Sequence, residues 1–323
     1  MIGLSVNAQL TDAVLYHRDG KLTKAKIAID KALTSEKMAT KSKAWYYSGL
    51  IYMDMAKKEV DPVTKYSYYK ISNTSLQTAI DKNKGETWIS QSKSKSKELY
   101  STIFNEGIKL HNTKDFENAL KLDELASTVK MAKIEDRINA LINATIASGS
   151  LKMTDKSIDL NKEILKLNPN DAETYIELIR LYDGKGNANK AMNYAEEGSS
   201  KFPKDNRFSN EVARLAIKSG KGEEAIEKLK IAAEKDPTNA LLLNKIADIY
   251  SGLKKFDKVE EFYKKSLAID ENNLDANYNL GSFYFNKGAG IQNEINKMNL
   301  KEFQKTYIIS HNIDNMLKIL CLE

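Results

Sequence analysis

The sequence predicts an all-α protein built as a solenoid of repeated units. Three observations carry this expectation. Breakers are scarce: the 323 residues include 4 prolines and 15 glycines, and Lys, Leu, Ala, Glu, Asn and Ile dominate, which suits amphipathic helices. Alternating runs of Val, Ile and Thr, the mark of half-buried strands, are missing. Pro169, Pro203 and Pro237 recur at intervals of 34 residues, in "LKLNPND", "SKFPKDN" and "EKDPTNA". A fixed period of this length dictates a whole architecture. One period later Glu271 stands in "IDENNLD", the same turn without its proline. Counting from these turns places units near 138, 172, 206, 240 and 274.

From the N-terminus, the start "MIGLSVNAQL" reads in two ways. Val6-Asn7-Ala8 resembles a leader cleavage site after the end of an apolar core, which makes residues 1–8 the remnant of a signal peptide and Gln9 the mature start; the other reading is an ordinary helix lead-in. Residues 9–99 hold atypical units. The first is partial, with Ala13, Tyr16, Ala25 and Ala32. The second carries Trp45, Gly49 and Tyr52 in "AWYYSGLIY", then a lengthened second helix around Pro62 with its small residue, Ala79, about eleven places late. "TWISQSKSKSKEL" follows as a solvated linker or helix start.

Residues 100–288 hold the regular array. "STIFNEGIKLHNTKDFENAL" supplies Gly107, Leu110, Phe116 and Ala119. The unit from 172 supplies Tyr175, Leu178, Tyr182 and Ala191, and that from 206 supplies Val212, Ala213, Ala225, Ala232 and Pro237. The unit from 240 has Ile246, Ala247, Tyr250 and Tyr263, and the last has Leu280, Gly281 and Tyr284. The segment 289–323 departs from this pattern and ends in the apolar Met316, Leu317, Ile319, Leu320 and Leu322. Either it is an amphipathic helix packed on the last unit, or the array continues in the gene and this end is a truncation or reading-frame artefact.

These positions resemble the tetratricopeptide repeat, W-x2-L-G-x2-Y followed by A-x3-F and P, over roughly residues 9–288. The resemblance implies a right-handed superhelical solenoid of antiparallel helix pairs. Small residues (Gly49, Gly107, Ala213, Ala247, Gly281) belong where the two helices of a unit meet, because axes ~8–10 Å apart leave little room. Gly186, Gly220 and Gly288 are expected to end first helices at positive φ, and the prolines to end second helices.

The resemblance also implies a concave groove lined by first helices, and a protein or peptide partner. The groove candidates by register are Tyr46, Arg180, Asn210, Arg214, Lys218, Asn244, Asp248 and Tyr278, with Leu50, Phe104, Ile108, Ile176, Ser282 and Phe285 beside them. Arg180, Arg214 and Asp248 hold equivalent places in consecutive units, where a row of charges suits a peptide carboxylate. A chaperone-type carboxylate clamp is not reproduced, since Ile176 and Glu211 stand where its polar and basic members belong.

Little in the chain suggests chemistry. His17, His111 and His311 fall in different units, and no CxxC, HExxH, P-loop, GxGxxG or GxSxG occurs. "DGKGNANK" lacks the EF-hand ligand order, and Cys321 has no base partner. No catalytic, cofactor or metal residue is expected, and no cofactor. The net charge is +6; the first hundred residues hold 17 basic against 10 acidic side chains and the remainder is nearly balanced. This is a solvated helical surface rather than the dense basic stripe of a nucleic-acid binder. No apolar run reaches membrane-spanning length.

The expected function is a non-enzymatic scaffold that holds a protein or peptide in its groove. The alternatives are a helical-repeat RNA-binding protein and a structural subunit of a larger envelope assembly. The leader-like start points to an exported, periplasmic or outer-membrane-associated protein; the alternative is cytoplasmic.

Overall fold

The structure is a computed structural model that describes residues 6–82 and 86–297. The described residues form an all-α repeat solenoid without strands. The helices are α1 (Val6–Arg18), α2 (Leu22–Leu33), α3 (Glu36–Ala39), α4 (Ser42–Lys58), α5 (Pro62–Asp81), α6 (Glu86–Asn112), α7 (Phe116–Ser127), α8 (Ile134–Ser150), α9 (Thr154–Leu167), α10 (Ala172–Gly184) and α11 (Ala188–Lys201). They continue with α12 (Asn206–Lys218), α13 (Gly222–Lys235), α14 (Ala240–Gly252), α15 (Phe256–Ile269) and α16 (Leu274–Lys297). The chain divides into two compact units, residues 1–194 and 195–323, with the boundary inside α11.

In the first unit, consecutive helices pack side by side as pairs, α1 on α2, α4 on α5, α6 on α7 and α8 on α9. The α4–α5 pair shows why glycine is needed at the contact. A Cβ on Gly49 would lie 2.6 Å from Leu76 Cδ2. Two hydrogen bonds cross the same contact: Ser72 Oγ donates to the Gly49 carbonyl at 2.8 Å, and Ser48 and Ser75 hydroxyls meet at 2.9 Å. Tyr52, Ile51 and Met53 fill the space on either side. Overpacking such a contact typically costs ~1–3 kcal/mol.

The Ser/Lys-rich stretch is helix, not linker. It is the N-terminal half of the 27-residue α6. Ser92, Ser96 and Leu99 recur at helical spacing on the buried face, while Lys93 and Lys97 face solvent. The small serines let α6 lie close to its neighbours, and the lysines solvate the opposite side.

In the second unit, α12, α14 and α16 begin at residues 206, 240 and 274, an interval of 34. Helices α11, α13 and α15 end two residues before Pro203, Pro237 and Glu271. The core comprises Ala213, Ile226, Ile246, Ala247, Tyr250, Val259, Phe262, Tyr263 and Ala276.

The turns inside the helix pairs repeat one geometry. Lys152, Gly186, Gly220 and Lys254 lie 34 residues apart, all with positive φ, at 58°, 75°, 71° and 59°. Gly288 differs from expectation: it lies within α16, which runs on to Lys297 without a turn. Gly281 likewise meets nothing within 4 Å. The second helix expected to face it would fall on α16's own continuation and on residues 298–323, outside the described residues. The leader-like start lies partly on residues 1–5, also outside them.

A lysine held left-handed carries a steric cost of ~1–2 kcal/mol that glycine avoids. Lys254→Gly is therefore expected to stabilise the protein by about 1 kcal/mol net of glycine's entropy. Differential scanning calorimetry should show a rise in Tm; an unchanged or lower Tm would show the strain to be absent.

Candidate protein-binding surface

A first helix buries one face against its partner and leaves the opposite face to solvent. In α8 the buried side chains are Ala140, Leu141, Ala144, Ala147 and Ser148, which makes residues 142 and 146 the outward positions. These are the fifth and ninth places counted from 138. The equivalent places elsewhere carry the candidate residues except Lys218, which lies one turn beyond Arg214 on α12.

In the first unit, Tyr46 is not on an open face. It is buried, with its ring 5.3 Å from Tyr47 and 5.4 Å from Trp88. Trp88 belongs to the N-terminal half of α6, so the helix that sequence alone left open as a linker covers this face of α4. Arg180, on α10, is exposed at 69% of its side chain and donates to Glu177 through Nε at 2.8 Å and Nη2 at 2.5 Å. An exposed pair three residues apart on one helix contributes little and opens readily.

Two outward residues of this unit are absent from the expected set. Ile142 and Ile146 are exposed at 39% and 53%. The signal was present, since 138 plus four and plus eight gives these numbers, but the unit at 138 carries no aromatic signature residue of its own.

In the second unit, α12 presents Asn210, Arg214 and Lys218 to solvent. Arg214 donates to Glu211 on its own helix, at 2.7 Å from Nη2. Asn210 edges a shallow depression with Phe202, Pro203, Lys204, Asp205 and Arg207. On α14 the expected pattern changes. Asn244 is buried and donates from Nδ2 to Asn273 Oδ1 at 3.0 Å, while that oxygen also accepts from the Ala276 amide at the start of α16. Asn244 is thus a joint between α14 and α16, not a surface group.

Asp248 is half-buried. Its Oδ1 accepts from the Tyr263 hydroxyl and from Asn279 Nδ2. Burial pushes its carboxyl above the usual range, the Tyr263 bond opposes this, and the nearby Asp275 adds to it. The acid expected to follow Arg214 in a charge row is drawn inward by its neighbours. On α16, Tyr278 and Phe285 are each 76% exposed and flank a depression of about 430 Å³ with Asn277, Gly281, Ser282 and Asn286.

Among the described residues, no group of three or more His, Cys, Asp or Glu side chains is placed to hold a metal ion. No helix among them is long and apolar enough to cross a membrane.

The helix pair α14–α15, with its turns, spans the stretch that matches a family profile: residues 240–273 match the tetratricopeptide repeat. The chain carries a tetratricopeptide repeat there. Proteins built from tetratricopeptide repeats are in general non-catalytic scaffolds for protein contacts. Cellulose synthase operon protein C of Pseudomonas fluorescens (strain SBW25) is 32% identical over 115 residues, 35% of this chain and 9% of that protein. The chain thus matches about a tenth of that relative's length. Among solved structures, YrrB, a tetratricopeptide repeat protein with an unusual peptide-binding site, is 16% identical, with 63% of this chain and 96% of that one covered at a TM-score of 0.35. Pseudomonas aeruginosa pilF is 14% identical, with coverage of 86% and 97% and a TM-score of 0.31. The identification rests on the matched repeat and on the 34-residue register of helices, not on these distant folds.

Proposed function

We propose that the protein is a non-enzymatic scaffold that captures a protein or peptide partner on the outward faces of its first helices. One observation carries this reading: solvent-exposed Arg180 and Arg214 occupy the same place in their repeats, each paired with a carboxylate three residues away on its own helix. Such guanidinium groups exchange a weak local pair for a partner's carboxylate at little cost, with a stronger, bidentate bond available. Asn210 and Lys218 flank Arg214 on α12, and Tyr278 offers an exposed ring further along the second unit.

The leader-like start, together with the partial similarity to a cellulose synthase operon protein, supports placement in a bacterial envelope. Replacing Arg180 and Arg214 by Glu is expected to reduce partner recovery in an affinity pull-down several-fold while the circular dichroism melt stays unchanged. Unchanged recovery would remove these residues from the binding face.

A further inference from the structure

The first unit carries an apolar stripe that neither the fold nor the charged contacts require. At the fifth and ninth places of the repeats counted from 100 and 138 stand Phe104 and Ile108 on α6 and Ile142 and Ile146 on α8, and at the fifth place of the repeat from 172 stands Ile176 on α10. Ile108, Ile142 and Ile146 are 38%, 39% and 53% exposed, and Phe104 and Ile176 are half-buried. Two of the helices bearing them, α6 and α8, are tied together where the Tyr100 hydroxyl of α6 donates to the Asp136 carbonyl of α8 at 2.7 Å. Isolated surface isoleucines are ordinary, but several at equivalent outward positions of successive repeats are not scattered. The equivalent places in the second unit are polar: Asn210, Arg214, Asn244 and Asp248.

The charge pattern along the stripe states what covers it. No charged side chain stands at positions 104, 108, 142 or 146, the fifth and ninth places of their repeats, and Glu106 beside the stripe is held by Lys65 at 2.8 Å. The first charge at these places is Arg180, at the α10 end. A complementary ligand is therefore uncharged and apolar along most of its length and acidic at one end.

We infer that the stripe Phe104–Ile108–Ile142–Ile146–Ile176 docks an extended, apolar peptide segment of a partner protein, with an acidic residue of that segment at Arg180. This rests on the scaffold reading and narrows it. Apolar side chains fill the spaces between the isoleucines and supply the affinity, and the acid at Arg180 fixes direction.

The test is selection from a phage-displayed library of random peptides of about twelve residues on the full chain, followed by fluorescence anisotropy with the enriched peptides. Enrichment of apolar sequences with an acidic residue toward one end is expected. The Ile142→Asp, Ile146→Asp double variant should weaken their binding at least about tenfold, and Arg180→Glu should reverse the preference from an acidic to a basic end residue. Both variants change exposed positions, and a circular dichroism melt confirms that each folds.

Three results would overturn the inference. The first is enrichment of no peptide, or only of polar or basic ones. The second is full binding by the double variant. The third is a sedimentation profile in which the unmodified chain self-associates and the double variant does not, which makes the stripe an interface between copies. The pull-down separates this from the broader reading: partner loss in Arg214→Glu with full recovery in the isoleucine variant sinks the stripe and leaves the scaffold standing. Full recovery in both sinks both.

Discussion

Phe208→Ala is expected to cost about 3–5 kcal/mol, enough to unfold much of the second unit at physiological temperature. Phe208 is fully buried near the start of α12. Its ring stacks on Phe202 at 5.3 Å with 19° between planes, and it lies against the backbone of Gly198. A Cβ on Gly198 would meet the ring at 2.2 Å, so ring and glycine are shaped to each other. Removing the ring leaves a cavity beside a helix that has no side chain to fill it. The loss combines lost transfer energy with unfilled volume. Gly198→Val attacks the same contact from the other side by overpacking and should cost ~1–3 kcal/mol. Urea denaturation followed by circular dichroism measures both; a change below 1 kcal/mol for Phe208→Ala would show that the site collapses around the gap.

Asp123→Asn is expected to stabilise the protein at neutral pH by about 1–3 kcal/mol. Asp123, on α7, is fully buried; its Oδ2 meets His111 Nε2 at 2.7 Å and its Oδ1 has no hydrogen-bond partner among the described residues. Gly107 of α6 lies against that oxygen, where a Cβ would come within 2.5 Å. Burial pushes the carboxyl up from 3.8 to about 6, against the opposing hydrogen bond and charge of His111. The Tyr100 phenol, on α6, also senses the Asp123 charge. A folded pKa above the unfolded one means that the native state holds the proton more tightly. The stability gained is full below about 4 and is lost as pH rises through about 6. The asparagine keeps the shape without the buried charge, so its stability curve should lack this fall. Urea midpoints across pH 4–8 decide the matter. Parallel curves for the two proteins would show that Asp123 does not titrate in this range.

Much of the fold was legible because its signals are periodic. Pro169, Pro203 and Pro237 punctuate second helices through local backbone sterics, and these act whatever the neighbouring helices do. Gly186 and Gly220 mark left-handed turns for the same reason. The turns at Lys114, Lys152 and Lys254 gave no such sign, because packing on both sides imposes a conformation their residue type resists.

The candidate binding surface was less legible. Register assigns a residue to the outward face, but not what else covers that face. Tyr46 and Asn244 hold outward places and are buried all the same, one under Trp88 of α6 and the other against Asn273 at the start of α16. Asp248 is drawn inward by Tyr263 and Asn279, whose positions depend on the packing of α15 and α16. Ile142 and Ile146 sit where register alone puts them, in a repeat without an aromatic signature residue to draw attention to it.

By itself, then, the amino-acid order determined the helical class, the 34-residue period, the places where chain direction reverses and the small residues at helix contacts, because each follows from local sterics and spacing. Only the tertiary structure decided that the Ser/Lys stretch continues α6 back over α4, that α16 runs past Gly288, and which outward side chains stay exposed to solvent. Those outcomes depend on contacts between residues far apart in sequence, where the burial of one side chain is set by another helix.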